Sequence, residues 1–414
     1  MKFNYIIFFL LLSISNISCQ NETNNQRVIL GNEVLLNDSL ELLTGKRIGL
    51  VTNHTALLPD NVNLVDTLLA LGINVTKLFS PEHGIRGNVS AGQLISSSTD
   101  EKTSLPVYSL YGDTKKPSPE MLNDIDLLLY DIQDVGVRFY TYISTLYYVL
   151  QAASENSIPL VVLDRPNPLN GNYLAGPVLD SNFISFVGIA SIPVVYGMTV
   201  GELANYFIEY EFIDLNKKAD INVIKMKGWN RNYNWNNLNI KWIPPSPNIP
   251  DFETAQVYPG TCFIEGTNVS EGRGTDHPFL TIGAPYINAE ELIREIHTHN
   301  ISGVDLKPVS FIPIDIRGRA NNPKYEDVNC YGIKISVTNE AKYKPVTFGL
   351  VLIYSLLQLY PRQFKFYNQH FDKLAGTDRL RLNLLSGKDP SIIVDGWQQD
   401  LKTFNSKRKN ILLY

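Results

Sequence analysis

Leu127 to Tyr142 reads LLLYDIQDVGVRFYTY, an apolar run that breaks into Asp131, Gln133, Asp134, Arg138, Tyr140 and Tyr142. With the residues just before it, the run predicts a strand from Ile125 to Ile132 that is covered on both faces. A half-buried strand alternates apolar and polar residues, and a fully buried one does not. The polar cluster then falls where the strand leaves its sheet. In open α/β sheets the ligand crevice lies at that edge, outside the carboxyl ends of the strands. Asp and Arg after a strand also act as caps and turn partners, so one such cluster alone decides nothing.

The same event recurs three more times. Arg47 to Thr52 (RIGLVT) runs into Asn53, His54 and Thr55. Val75 to Ser80 (VTKLFS) runs into Pro81, Glu82, His83, Gly84, Ile85 and Arg86, and Pro159 to Leu163 (PLVVL) runs into Asp164, Arg165, Pro166 and Asn167. Helical segments such as Asn63 to Leu71 (NLVDTLLAL), stopped by Gly72, lie between strands. Crossovers of that kind make neighbouring strands parallel, so all four clusters share one edge of one sheet. An α/β fold with a parallel sheet and a pocket at its carboxyl edge follows from pattern alone.

Further along, Pro106 to Leu110 predicts a strand, Ser118 to Asn123 a capped helix start, and Thr141 to Asn156 a buried helix with Tyr147 and Tyr148 in the core. Gly87 to Thr103, rich in Gly, Ser and Thr, reads as a loop reaching over the pocket. Ile192 to Tyr196 predicts another strand and Leu203 to Tyr210 a helix. Composition then shifts towards Lys, Asn and Trp near Asp214, which sets the expected domains at 27–213 and 214–414. Pro244 to Pro250 (PPSPNIP) is a rigid connector. Thr261 to Glu265 (TCFIE) predicts a strand that ends in the Gly-rich stretch 266–275, which lacks the Lys-Ser/Thr ending of a phosphate-cradling loop. Ile333 to Thr338 and Phe348 to Leu359 complete a smaller, mixed α/β second domain.

The 414 residues allow two domains, and 44% hydrophobic with 19% charged residues describe a globular chain. A net charge of -5 gives no support to a nucleic-acid partner. Residues 1–18 read as a signal peptide: Met1 and Lys2 start it, and Tyr5 to Ser13 is an apolar core too short to span a bilayer. Cys19 after Ser18 resembles the lipidation site of bacterial lipoproteins, although Asn16 stands where Leu is usual. The expectation is an exported protein of the periplasm or cell envelope, held to the membrane by a lipid on Cys19 through the polar tether Gln20 to Gln26. Cys262 and Cys330 remain, and spacing does not decide whether they pair. No CxxC or His-rich spacing suggests a metal, and no cofactor is implied.

The clusters are rich in carboxylates, Asn, Arg and aromatics, a lining that suits a sugar. Glycoside hydrolysis uses two carboxyl groups flanking one bond, and the candidates are Glu82, Asp131, Asp134, Asp164, Glu265 and Glu271. Glu82 is the favoured acid, because partial burial right after a strand lets a carboxyl hold its proton nearer neutrality. His83 beside it reads as a base or, more commonly for a lone His next to Gly, a scaffold residue. No GxSxG elbow is present, so an α/β-hydrolase nucleophile is unsupported.

Six motifs in order, TNHT (52–55), SPEHGIRG (80–87), YDIQDVGVRFYTY (130–142), LDRPNPLNG (163–171), EGTNVSEGRGT (265–275) and the terminal ILLY, resemble the exo-β-N-acetylmuramidase family, also known as a domain of unknown function. The resemblance covers nearly all of the chain beyond the leader. It implies removal of N-acetylmuramic acid from the non-reducing ends of peptidoglycan fragments. It also implies a Rossmann-like N-terminal domain, with the active site in the cleft it forms with the smaller domain. Glu82 matches the motif Glu with a catalytic role, and Glu265 is chosen over Glu271 as the second carboxylate for its predicted strand end. The lactyl carboxylate of the sugar calls for a planar cation. Arg86, Arg138, Arg165 and Arg273 are all expected at the sugar site, with Arg138 or Arg273 as the partner of the lactyl carboxylate; the alternative is that these arginines pair internally with Asp134, Asp164 or Glu271. Asn53, His54, His83, Asp131, Gln133, Asp134, Tyr140, Asp164, Asn167, Asn268 and Glu271 are expected to line the sugar site. The rivals are another exo-hexosaminidase and a non-catalytic cell-wall sugar-binding lipoprotein. Nucleotide binding is not implied, because no GxGxxG follows the first strand.

Overall fold

The computed structural model describes residues 27–87, 98–212 and 220–414. Cys19 and the leader, much of the loop after Gly87, and the boundary expected at Asp214 lie outside the described residues. Seven strands form the large sheet: β1 (Ile48–Thr52), β2 (Val75–Ser80), β3 (Ser98–Thr99), β4 (Pro106–Ser109), β5 (Leu127–Asp131), β6 (Leu160–Leu163) and, after two strands outside it, β9 (Ile221–Ile224). Their order is β3-β4-β2-β1-β5-β6-β9, parallel throughout except for the short β3. β9 follows residue 214, so the composition shift there does not end the sheet.

Burial on both faces explains the unbroken apolar runs. Along β5, Leu127 and Leu129 enter one core cluster while Leu128 and Tyr130 enter another, as successive side chains of a strand must. From β1 the chain winds outward through β2 and β4, then returns to β5 beside β1 and winds the other way through β6 to β9. The topological switch therefore lies between β1 and β5.

The crossovers are α1 (Gly31–Asp38) leading into β1, α2 (Leu64–Ala70), α3 (Pro119–Leu122), α4 (Tyr142–Asn156) and α5 (Val200–Tyr206). Their starts follow side-chain capping: the Asn63 and Ser118 oxygens accept backbone N–H bonds from Val65 and Met121, and Thr199 with Glu202 forms a capping box before α5. β7 (Ala175–Val178) and β8 (Pro193–Val195) pair as a separate two-stranded ribbon, which takes up the strand expected at 192–196.

The second lobe holds α6 (Phe252–Thr261), the antiparallel sheet β10 (Thr281–Ala284), β11 (Val304–Phe311) and β12 (Cys330–Val337) in order β10-β12-β11, with α7 (Ala289–His297) and α8 (Pro345–Leu359). Four helices follow: α9 (Asn368–Ala375), α10 (Arg379–Leu385), α11 (Pro390–Asp395) and α12 (Gln398–Arg408). The strand expected over 261–265 is instead the end of α6 and a 3-10 turn, Cys262–Gly266. A buried apolar run this short fits either structure, and the helix capped by Asp251 simply runs on into it. One core cluster passes from the large sheet into this lobe through Phe139, Tyr258 and Phe263, so the lobes share an interior. Cys262 and Cys330 are buried and free.

Candidate active site

At the carboxyl edge of the large sheet, facing the second lobe, lies a cavity of about 510 Å³. The loop after β2 brings Glu82 and His83, the loop after β4 brings Tyr111 and Lys115, and the loop after β5 brings Phe139, Tyr140 and Thr141. The second lobe contributes Tyr258, Cys262, Glu265, Arg273 and His370. Ser246 and Asn248 of the Pro-rich connector form a further stretch of wall. A pocket of this size, polar and aromatic in lining, is suited to a monosaccharide with room beside it.

Glu82 is placed by a tight turn. Ser80 ends β2, and His83 (φ 71°) and Gly84 (φ 75°) both take the left-handed conformation, folding the chain back with the Gly84 N–H on the Pro81 carbonyl. The Glu82 side chain is buried at the cavity wall, where Thr141 Oγ1 donates to its Oε2 at 2.7 Å. Glu265 rides on the 3-10 turn after α6, and Arg273 Nη2 donates to its Oε1 at 3.1 Å. Arg273 also lies 3.7 Å from Glu271 and over the ring of Phe279. Lys324 braces the same turn, donating to the carbonyls of Ile264, Glu265 and Val269 and pairing with Glu271 at 3.0 Å. Burial works to raise the Glu271 carboxyl, but Lys324 and Arg273 outweigh it and hold the group below its ordinary value. Burial lowers the His370 imidazole, favouring its neutral form.

The structure thus brings five of the expected residues, Glu82, His83, Tyr140, Glu265 and Arg273, to one cavity. Glu271 borders a smaller annex that shares Glu265, Arg273 and His370 with it. The other expected residues hold the edge together. Asp131 is buried against Arg165 and Asn32. Asp134 accepts from Tyr196 and from the Gly136 N–H, and burial pushes its carboxyl up to about 6. Asp164 accepts from Thr199, Gly201 and the Tyr414 hydroxyl. Asn167 bridges the Met198 carbonyl and the Leu169 N–H, and Gln133 donates to the carbonyls of Asp134 and Pro166. Charged and polar groups this deep survive only when paired, which is why a polar edge becomes mostly internal wiring.

Arg138 corrects the expectation of a carboxylate reader. It is fully buried, and its two terminal nitrogens donate to the carbonyls of Pro177, Ile192, Leu374 and Ala375, tying the β7–β8 ribbon to α9. Arg86 closes a bidentate pair with Asp100. Asn53 binds its own loop through Thr55. His54 Nε2 meets the Pro244 carbonyl at 2.7 Å and Tyr142 donates to the Pro245 carbonyl at 2.6 Å, so both hold the connector against the site. Asn268 links Tyr286 to the backbone of 363–365 and stays outside the cavity.

Residues that the sequence reading missed are Lys115, Thr141, Ser246, Tyr258 and His370. A signal existed for Lys115: the SLYG…KKP stretch follows a fifth parallel strand, β4, just as the four clusters follow theirs.

A crevice at the carboxyl edge of a doubly wound sheet, faced by a second α/β lobe and lined by one carboxylate from each, defines a two-lobed α/β protein with a polar cleft between its lobes. The chain belongs to the exo-β-N-acetylmuramidase NamZ family, whose N-terminal model matches residues 48–253 and whose C-terminal model matches 256–414. It is 43% identical over 409 residues to the peptidoglycan β-N-acetylmuramidase NamZ of Bacillus subtilis (strain 168), covering 97% of this chain and 96% of that protein. Crystal structures of two DUF1343 family proteins of Bacteroides fragilis NCTC 9343 superpose with TM-scores of 0.85 and 0.76. Each is 34% identical and covers 94% of this chain and 99% of the other.

Proposed function

We propose that the protein is an exo-acting β-N-acetylmuramidase that hydrolyses terminal non-reducing N-acetylmuramic acid from peptidoglycan fragments. The observation that carries this reading is that Glu82 and Glu265 are the two carboxylates lining the cavity among the described residues, one from each lobe. Glu82, oriented by Thr141, donates a proton to the glycosidic oxygen as its bond to the anomeric carbon breaks. Glu265, oriented by Arg273, is the second carboxylate and faces the positive charge that develops on the sugar ring. Tyr140 and Tyr258 line the cavity and supply aromatic surface beside the sugar. The family membership and the Bacillus subtilis relative support the same chemistry.

The test is release of sugar from a chromogenic β-N-acetylmuramide, run beside the matching N-acetylglucosaminide. Cleavage of the muramide with little or none of the glucosaminide is expected. Cleavage of the glucosaminide alone would replace the reading with another hexosaminidase, and cleavage of neither by folded protein would replace it with a sugar-binding protein.

The leader adds a location to this reading: the charged start, the apolar core and Cys19 support export and lipid anchoring in the cell envelope, where peptidoglycan is. Cys19→Ser is expected to move the protein from the membrane fraction to the soluble one. Unchanged fractionation would refute the anchor.

A further inference from the structure

N-acetylmuramic acid differs from N-acetylglucosamine by a lactyl ether that ends in a carboxylate, so a cavity that selects it needs a positive charge not already spent. Histidines aside, two cations among the described residues line the cavity, Arg273 and Lys115. Arg273 stands with Lys324 among Glu265 and Glu271, two positive charges against two negative, and the four groups are in mutual ion pairs. Recruiting Arg273 to the substrate would strip a carboxylate of its partner in a buried setting, which is costly. His370 is pushed towards its neutral form by burial.

Lys115 is in the opposite condition. Its ammonium sits 5.4 Å from the ring centre of Phe186, and among the described residues it makes no ion pair or hydrogen bond. Its neighbour Lys116 is spent on Glu155 at 2.8 Å. The segment is anchored on both sides. Pro117 is buried and Ser118 caps α3, while the ring of Tyr111 packs on Phe186 at 5.8 Å. An exposed lysine on an anchored turn keeps its reach, and it lines the same cavity as Glu82.

We infer that Lys115, on the cavity rim beside Phe186, is the residue that binds the lactyl carboxylate of the sugar and so determines selection of the acidic sugar over its neutral analogues. This rests on the muramidase reading for the identity of the anion. The ammonium supplies a charge-assisted hydrogen bond, and Phe186 and Tyr111 give the lactyl methyl an apolar neighbour.

The deciding experiment is equilibrium titration with N-acetylmuramic acid and with its neutral lactyl amide, which needs no turnover. The wild type is expected to prefer the acid by about tenfold, the size of one charge-assisted bond at a wet rim. Lys115→Ala brings the ratio near one, Lys115→Arg retains most of it, and Lys116→Ala keeps the wild-type ratio. The preference weakens as salt is added, as a screened surface contact must. A wild type without preference overturns the inference. So does a Lys115→Ala variant that keeps its preference, or one that keeps it while Arg319→Ala, in the annex, loses it. If the preference depends on Lys115 but no muramide is cleaved, the hydrolase reading falls and the anion site stands. If muramide is cleaved and the ratio ignores Lys115, the reverse holds.

Discussion

Glu82 and Glu265 owe their places to unrelated devices, a left-handed turn after a strand and a 3-10 turn after a helix. Thr141 donates to the first, and Arg273 and the Cys262 thiol donate to the second. Replacing Glu82 with Gln keeps shape and the Thr141 contact but removes the proposed proton donor. A fall in kcat on the muramide of about 10²–10⁴ is expected, the usual worth of a positioned acid. The melting temperature should stay within about 2 °C, since no packing changes. Undiminished turnover would remove Glu82 from the mechanism. At the same scale Arg138 shows why residue type alone misleads: four carbonyl oxygens at 2.7 to 3.0 Å consume its terminal nitrogens.

Among the elements, the α6–α8 crossing positions the Glu265 turn. The two helices meet backbone to backbone: a Cβ on Gly260 would lie 2.0 Å from the Pro345 carbonyl, and one on Gly349 would lie 2.4 Å from the Gly260 carbonyl. Gly260→Ala must therefore push the helices apart, at a cost of about 1–3 kcal/mol. Urea unfolding should show a lower midpoint with an unchanged slope, together with reduced activity, because the Glu265 turn begins two residues on. An unshifted midpoint would show that the crossing yields freely. The same helix explains why the strand expected over 261–265 is absent. TCFIE carries no period that separates strand from helix, and the cap that settles it, Asp251, stands far upstream of the run.

In the whole molecule the C-terminal segment crosses back to the first lobe. The Tyr414 hydroxyl donates to Asp164 at 2.6 Å, its ring packs on Trp229, and the Leu413 N–H donates to Glu202. Burial pushes the Asp164 carboxyl up to about 7 from an ordinary 3.8. Between those values the native state binds a proton that the unfolded state has released, so this group's contribution to stability falls as pH rises from about 4 to 7 and then levels off. Asp164→Asn, which does not titrate, should remove that component. The wild-type melting temperature minus that of the variant is expected to decline across this window and stay flat above it. Parallel curves would mean that Asp164 titrates normally. Contacts that tie the C-terminal residues to the middle of the chain, with the core that the lobes share, predict a single unfolding transition for both lobes.

Much of this architecture is local information. Apolar run length, period and the residues after each run determine the strands β1, β2, β5 and β6, their common direction, and the edge at which a site must lie, because those properties depend on neighbours a few residues apart. Glu82 was legible for the same reason, sitting one turn past a strand. Which of the other polar residues line the cavity was decided only by tertiary structure. Burial obliges each charge to find a partner, and the partners come from far along the chain: Arg165 for Asp131, Tyr414 for Asp164, carbonyls of α9 for Arg138. The connector wall, the neutralised cluster around Arg273 and the unspent Lys115 belong to the same class, since the number of charges a cavity keeps for its ligand is a sum over three dimensions.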